Sequence, residues 1–106
     1  MNTITPKQLK DLLNDKDAEI TLVDVREDWE LARCKIDGCL HIPMNTIPNS
    51  LHKLEFNLPT IVYCHHGMRS LQVVNFLTSK GYIHALNLEG GIDAWAREVD
   101  PEMAAY

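Results

Sequence analysis

Residues 60–70 read Thr60-Ile61-Val62-Tyr63-Cys64-His65-His66-Gly67-Met68-Arg69-Ser70, and they give the clearest structural signal in the chain. The first five are apolar or β-branched at nearly every position, which is typical of a strand buried on both faces of a parallel sheet. After the loop, apolar residues recur at helical spacing from Leu71 to Thr78, and Gly81 ends the pattern. The sequence therefore predicts a buried strand, a tight turn and an amphipathic helix.

Strands and helices alternate along the rest of the chain. Further strands are predicted at residues 20–25, 40–42 and 83–88. Further helices are predicted from residue 5 to about 14, from 27 to 34, from about 49 onward and from 92 to 97. This alternation predicts an α/β fold, with a central, mostly parallel sheet, helices on both faces and no domain boundary.

Two prolines set helix boundaries. Thr5 is the expected N-cap of the first helix, with Pro6 at its first position and Gln8 completing a capping box. Pro48 can open a helix but cannot lie in the middle of one, so residues 45–56 are predicted to form a turn followed by a helix from about Asn49.

The composition describes one globular domain. The chain has 106 residues, of which 45% are hydrophobic and 24% charged, and this size allows a single core without disulfides. We expect the core at about residues 3–97, with Trp29 and Trp95 inside it, and a C-terminal tail at 98–106. The formal net charge of −5 argues against nucleic acid or an anionic membrane surface as partner, since both require basic patches.

The cysteine count and the first residues bear on the compartment. The N-terminus shows no basic stretch followed by an apolar run, and no segment approaches the roughly 20 apolar residues that a membrane span needs. Three cysteines cannot all pair within one chain, and a reducing compartment keeps them as thiols. We therefore expect a soluble, cytoplasmic protein. The sequence leaves the oligomeric state open, with a monomer as the default.

Cys64 is the best candidate for a functional residue. Ligands of open α/β sheets bind beyond the carboxyl ends of the strands, where Cys64 lies. Amides of the turn and of the next helix's first turn converge there, which favours the reactive thiolate, and Gly67 lets the backbone curl. The alternative is a buried small hydrophobe, but two histidines, a glycine and an arginine follow Cys64, and they fill a core poorly.

Residues 64–70 resemble the C-x-x-G-x-R-S active-site loop of the rhodanese family. Residues 22–27 resemble the first buried strand of that family, residues 36–43 its I-x-G-A-x-H-I-P segment, and residues 88–95 its L-x-G-G-x-x-A-W closing motif. The four motifs follow in the family's order over nearly the whole chain. The resemblance implies a rhodanese fold, with residues 1–106 as a single rhodanese domain.

The resemblance also implies a reaction. The Cys64 thiolate would take a sulfane sulfur from a small anionic donor such as thiosulfate, release sulfite, and pass the sulfur of the persulfide to a thiol or a cyanide-like acceptor. The loop amides would stabilise the thiolate and the persulfide, and Arg69 would bind the donor. No cofactor is implied. The implied substrate-binding residues are His65, His66, Gly67, Met68, Arg69 and Ser70.

Other functions fit the same loop less well. Phosphatases that share this architecture have five residues between cysteine and arginine, whereas four separate Cys64 from Arg69, and by family analogy the shorter loop suits sulfur. A rhodanese-like module that only binds a partner is a further alternative, although such members usually lack the loop cysteine. A persulfide carrier loaded by a partner protein uses the same residues as the enzyme.

Cysteine and histidine also suggest zinc. Cys34, Cys39 and His41, with the pair His65-His66, are candidate ligands, but their spacing lacks a close C-x-x-C pair, so we expect no metal site. Cys39 lies where the family usually has alanine, and it is interpreted as a small residue packed behind the sheet. Whether Cys34 or Cys39 resolves a persulfide stays open.

Four residues near the loop have two interpretations each. The side chains of His65 and His66 either tune the thiolate by their charge or point into solvent, and we favour the second because family members vary at both positions. Asp24 and Arg26 either touch substrate or form an ion pair that fixes neighbouring loops. We favour the ion pair and class both as supporting residues.

Overall fold

The structure, a computed structural model, describes residues 2–106. The strands are β1 Thr3–Ile4, β2 Thr21–Asp24, β3 Leu40–His41, β4 Thr60–Tyr63 and β5 Ala85–Leu88. The helices are α1 Pro6–Asn14, α2 Asp28–Arg33, α3 Met68–Ser79 and α4 Gly91–Glu98. Two 3-10 segments, Met44–Asn49 and Leu51–Lys53, lie between β3 and β4.

The strands form one parallel sheet in the order β1-β5-β4-β2-β3. β4 lies at its centre, where Val62 pairs with Val23 of β2 on one side and with Asn87 of β5 on the other. Because all strands run the same way, the carboxyl ends of β2, β4 and β5 meet at one edge. Cys64 follows β4 at that edge.

Side chains alternate between the two faces of the sheet and bury two hydrophobic clusters. Along β4, Val62 and then Cys64 point into the first cluster, while Ile61 and Tyr63 point into the second. The first cluster lies under α3, which contributes Val73, Val74 and Leu77. The second lies under α1 and α4, which contribute Leu9, Ile92 and Trp95. The predicted α/β class with helices on both faces is confirmed.

Local signals in the sequence predicted the first helix well. The side chain of Thr5 accepts a hydrogen bond from the backbone N–H of Gln8 at 3.1 Å, and the Gln8 side chain accepts one from the N–H of Thr5 at 2.9 Å. Pro6 is the first residue of α1. The predicted capping box is confirmed, and so is the helix end at Asn14.

The helix predicted from about Asn49 is wrong. Residues 44–53 form two short 3-10 segments, and Pro48 lies inside the first of them. Proline donates no backbone hydrogen bond and disfavours the α conformation of the residue before it. The tighter 3-10 turns are therefore the local structure that this stretch adopts.

Two further elements differ from the prediction. β1 was missed because a two-residue edge strand shows no periodic pattern, although it pairs with β5 through Thr3 and Asn87. Trp29 is 59% exposed and is not a core residue, while Trp95 is buried as predicted. The buried residue of α2 is Glu30, because this short helix turns a carboxylate and not its tryptophan toward the protein. Among residues 2–106, no helix has the length and apolar character required to cross a membrane.

Candidate active site

Cys64 lies at the base of a loop that we call the cradle, residues 64–70. The residue is only 1% exposed, and its Sγ accepts hydrogen bonds from the backbone N–H groups of Gly67, at 3.1 Å, and Ser70, at 3.4 Å. Gly67 is the N-cap of α3 and has a φ of +105°, in the left-handed region that favours glycine. The loop therefore turns its amides toward the sulfur.

The first turn of α3 makes the cradle attractive to a negative charge. The N–H groups at a helix start have no intrahelical partner, and the helix dipole places partial positive charge there. Of the amides predicted to hold the sulfur, those of Gly67 and Ser70 bond to Sγ itself. Met68 and Arg69 are the first two residues of α3, so their N–H groups have no intrahelical partner. This arrangement directs backbone N–H groups and the positive end of the helix dipole at the sulfur of Cys64.

Packing against α4 fixes the position of the cradle. The N–H of Ile92 donates to the carbonyl of Cys64 at 2.9 Å, and the N–H of Asp93 donates to the carbonyl of His65 at 3.0 Å. A Cβ on Gly91 would lie 2.5 Å from the carbonyl oxygen of Cys64. Only glycine allows this approach, which gives the second glycine of the closing motif a structural role.

Asn87 of β5 contacts the cradle, and the sequence did not predict this contact. Its Nδ2 donates to the carbonyl of Gly67 at 3.2 Å, and its Oδ1 accepts from the hydroxyl of Ser70 at 2.5 Å. The Oγ of Ser70 in turn lies 3.3 Å from the Sγ of Cys64. Asn87 therefore connects the two residues whose amides bind the sulfur.

Arg69 is engaged by a partner that the sequence did not suggest. Its Nη1 and Nη2 donate to the two carboxylate oxygens of Glu30 at 2.7 and 2.8 Å. The side chain of Glu30 is 4% exposed and that of Arg69 is 36% exposed. The hydrogen bonds from Arg69 lower the pKa of Glu30 to about 2 against the cost of burial. Glu30 uses two of the five N–H groups of Arg69, so three are left for another partner. The donor-binding role of Arg69 stays a prediction.

Tyr106, in the tail, was also missed. Its hydroxyl donates to Glu30 at 2.7 Å and accepts from Nη1 of Arg26 at 2.7 Å. The ring stacks on His65, with centroids 4.0 Å apart, and meets Trp29 edge-on at 5.8 Å. Burial raises the pKa of Tyr106 to about 12, so the hydroxyl keeps its proton. The tail thus lies against the loop that carries Cys64.

The ion pair predicted between Asp24 and Arg26 is present, and both side chains are fully buried. Nε and Nη2 of Arg26 donate to the Asp24 carboxylate at 2.8–3.1 Å, and Nη2 also donates to the carbonyl of Cys34. The carbonyl of Arg26 contacts Nε2 of His41 at 2.7 Å. The pair therefore joins β2 to the loops beside it. We call the connected side chains the ionic network, which comprises Asp24, Arg26, Glu30, Arg69 and Tyr106.

The two histidines of the cradle differ in surroundings. His66 is exposed, as predicted, and its Nδ1 lies 3.8 Å from Asp93. His65 is half-buried between the rings of His66 and Tyr106, so the prediction that it points into solvent is wrong. Burial, followed by the charge of His66, lowers the pKa of His65. His65, the residue after Cys64, therefore binds a proton less readily than a free imidazole.

The cluster formed by His65, His66 and Asp93 is poorly arranged to bind a metal ion. His65, His66 and Asp93 each offer a ligand atom, all within 4.8 Å of one another. The two imidazole rings stack face to face, however, and Asp93 also pairs with Arg97 at 3.3 Å, so we assign no metal site. Cys34 and Cys39 are free, partly buried thiols packed against the second hydrophobic cluster.

A cavity of ≈290 Å³ opens beside the cradle, between α4 and the tail. Its wall includes Cys34, His65, Asp93, Arg97, Met103 and Tyr106. His65 is the cradle residue on this wall, and neither Cys64 nor Arg69 lines the cavity.

Comparison with known proteins identifies relatives of this chain. The chain is 36% identical to a sulfurtransferase from Allochromatium vinosum, over 98% of this chain and 96% of the relative. It is also 36% identical to the probable adenylyltransferase/sulfurtransferase MoeZ of Mycobacterium tuberculosis, but it spans only 27% of that protein. The crystal structure of a rhodanese-like domain protein from Staphylococcus aureus, 39% identical, superposes with a TM-score of 0.84 over 93% of this chain and 95% of that one.

The four motifs, the parallel sheet and the cradle agree with these likenesses. A family profile described as the rhodanese-like domain matches residues 5–98, nearly the whole chain. The chain therefore belongs to the rhodanese family.

Proposed function

We propose that the protein is a sulfurtransferase that carries sulfur as a persulfide on Cys64. The observation that supports it most is the set of backbone amides that bind Sγ, since they stabilise the anion that attacks and the anion that forms. Relatives aligned over almost their whole length are named sulfurtransferase, and some are named thiosulfate sulfurtransferase. Chemistry at the loop and relationship point to the same activity.

The loading step would transfer one sulfur atom with its charge. The Cys64 thiolate attacks the outer sulfur of thiosulfate, an S–S bond to Cys64 forms, and the S–S bond of thiosulfate breaks. The bonding pair leaves with sulfite, so one anion and one dianion enter and one of each leave. The new charge lies on the outer sulfur, near the first-turn amides of Met68 and Arg69.

The anionic end of the donor would lie against the exposed edge of Arg69. The carboxylate of Glu30 neutralises much of the positive charge of Arg69. Arg69 would therefore orient the donor more than attract it from a distance. The acceptor would be a thiol or a cyanide-like nucleophile. It attacks the outer sulfur and restores the Cys64 thiolate. We also propose a cytoplasmic location, because three free cysteines fit a reducing compartment, and we take a monomer as the default oligomeric state.

The test is turnover of thiosulfate and cyanide, followed by sulfite release and thiocyanate formation. We expect sustained turnover in wild type, none in Cys64→Ser, and near-wild-type rates in the matched controls Cys34→Ser and Cys39→Ser. A single equivalent of sulfite without turnover would indicate a persulfide carrier and overturn the enzyme. Turnover that persists in Cys64→Ser would overturn the role of Cys64.

A further inference from the structure

Asn87 is a buried polar residue whose side chain, among residues 2–106, forms hydrogen bonds only with the cradle. Both of its side-chain hydrogen bonds go to Gly67 and Ser70, the residues whose amides hold the sulfur. It lies on β5, paired in the sheet with Val62 of β4 and Thr3 of β1. A rigid element therefore holds it against the loop.

Hydrogen-bond chemistry allows one orientation of this amide. The carbonyl of Gly67 has no proton, so the NH₂ group of Asn87 must face it. The other end of the amide is then an oxygen, which can only accept. Ser70 has a single hydroxyl proton, and at 2.5 Å from Oδ1 that proton belongs to the bond with Asn87.

The consequence reaches the nucleophile. With its proton committed, Ser70 presents an oxygen lone pair to the Sγ of Cys64 at 3.3 Å. A protonated thiol can donate to that lone pair, whereas a thiolate is repelled by it. The Ser70 hydroxyl therefore opposes the backbone amides, which favour the thiolate.

We propose that Asn87 is a positioning residue that makes Ser70 a hydrogen-bond acceptor and thereby sets how readily Cys64 ionises. Sulfur loading moves the charge from Sγ to the outer sulfur, which removes the repulsion at Ser70. Asn87 therefore favours the persulfide over the bare thiolate. This role rests on Cys64 being the nucleophile of the proposed function.

The test is the pH profile of Cys64 alkylation by iodoacetamide, a neutral reagent, which needs no sulfur transfer. The variants are Ser70→Ala, Asn87→Leu and the double variant, each in a Cys34→Ser/Cys39→Ser background so that one thiol reports. A neutral hydrogen bond moves such a midpoint by about half to one pH unit. If the protein did not transfer sulfur, the alkylation midpoints would be unaffected. Failure of the proposed function can therefore be told apart from failure of the role proposed for Asn87.

The expected signature is a change of sign. With Asn87 present, Ser70→Ala removes an acceptor of the thiol proton and moves the midpoint to lower pH. With Asn87→Leu, the hydroxyl of Ser70 is free to donate to the thiolate, so Ser70→Ala moves the midpoint to higher pH. Shifts of the same sign in both backgrounds, or none, overturn the proposal. If Asn87→Leu does not fold, Asn87→Val replaces it, and a rise caused by Ser70→Ala in the parent protein alone overturns the proposal.

The effects of other titratable and charged groups on the midpoint cancel in this comparison, because the same groups are present with Asn87 and with Asn87→Leu. Those on the elements packed around Cys64 are Asp24, Arg26, Glu30, His65, His66, Arg69, Asp93 and Tyr106. A matched control is Thr60→Val, which removes another buried hydroxyl, bonded to the carbonyl of Leu58 at the opposite end of β4. Its midpoint should equal that of the parent protein.

Discussion

The backbone of the cradle and the side chains of the ionic network shape the site around Cys64 by different means. The cradle binds sulfur with backbone N–H groups, whose directions follow from the turn at Gly67 and the start of α3. The ionic network uses side chains from β2, α2, α3 and the tail, and it meets the loop at Arg69. The chemistry at Cys64 therefore depends on backbone conformation, while the network fixes where the loop lies. Substitutions in the two regions should fail in different ways.

The largest effect should come from Gly91→Ala, which would push a side chain of α4 against the backbone of the cradle. The new Cβ would lie 2.5 Å from the carbonyl oxygen of Cys64, and the residue has a φ of +62°. Steric overlap and the left-handed backbone together should lower the free energy of unfolding by about 3 kcal/mol or more. Urea denaturation measures the loss, and iodoacetamide alkylation measures the change in reactivity of Cys64.

Gly38→Ala is the matched control for that variant. Gly38 also has a left-handed φ, of +86°, but its Cβ would meet no atom within 4 Å. It should cost only about 1–2 kcal/mol and leave alkylation of Cys64 unchanged. Equal costs for the two variants would show that the contact between α4 and the cradle is not tight.

Breaking the ionic network at Arg69→Ala should come next. The carboxylate of Glu30 would stay buried without its main partner, which costs about 3 kcal/mol for buried pairs and less here because Arg69 is partly exposed. The control Arg97→Ala removes an exposed ion pair with Asp93 and should cost less than about 0.5 kcal/mol. Denaturant unfolding of both variants gives these values.

Arg69→Ala also separates the loop's two tasks. Use of thiosulfate should weaken more than the alkylation of Cys64 by iodoacetamide slows, because Arg69 would orient the donor and does not touch Sγ. Equal losses in both rates would show that Arg69 acts on the thiolate itself.

A smaller effect should appear when the network is titrated. The pKa of Glu30 falls from its ordinary value of 4.5 to about 2 in the folded protein. A depressed carboxylate pKa contributes stability that is fully present above pH 4.5 and is lost as the pH falls toward 2. Glu30→Gln should therefore flatten the loss of stability in that window by about 3 kcal/mol at most. The control is Glu55→Gln, at an exposed carboxylate, which should leave the pH dependence of stability unchanged. If it flattened that dependence as much as Glu30→Gln does, Glu30 would not be the source of the effect.

The smallest effect should come from the tail. Tyr106→Phe keeps the ring on His65 but removes the hydroxyl between Arg26 and Glu30. Loss of hydrogen bonds to charged partners should cost about 2 kcal/mol at most. Tyr82→Phe, which removes a hydroxyl bonded to the carbonyl of Leu51, should cost about 1 kcal/mol or less. A Tyr106→Phe protein as stable as wild type would show that the tail does not contribute to the network.

The cradle was largely predictable from the sequence because its parts are neighbours in the chain. Cys64, Gly67 and Ser70 lie within seven residues, and a buried strand followed by a glycine turn and a helix determines where their amides point. The same applies to the capping box of α1. Such features follow from rules that act over a few residues.

Apart from the Asp24–Arg26 pair, whose members lie two residues apart, the ionic network was not predictable, because its other members meet only in the folded protein. Glu30 was hidden in a short helix whose apolar residues suggested that Trp29 packs inward, and its partner Arg69 lies far along the chain. Tyr106 lies in a tail without periodic pattern. A weak signal existed for Asn87, a polar residue inside an otherwise apolar strand, but its partners depend on the register of β4 and β5.

Sulfur loading of Cys64 tests the central claim most directly, by intact mass after thiosulfate is added and again after a thiol is added. We predict that wild type gains the mass of one sulfur atom and returns to its original mass with the thiol, while Cys64→Ser does neither. Wild type that stays unmodified across sulfane donors, or a gain that survives in Cys64→Ser, would contradict a persulfide on Cys64.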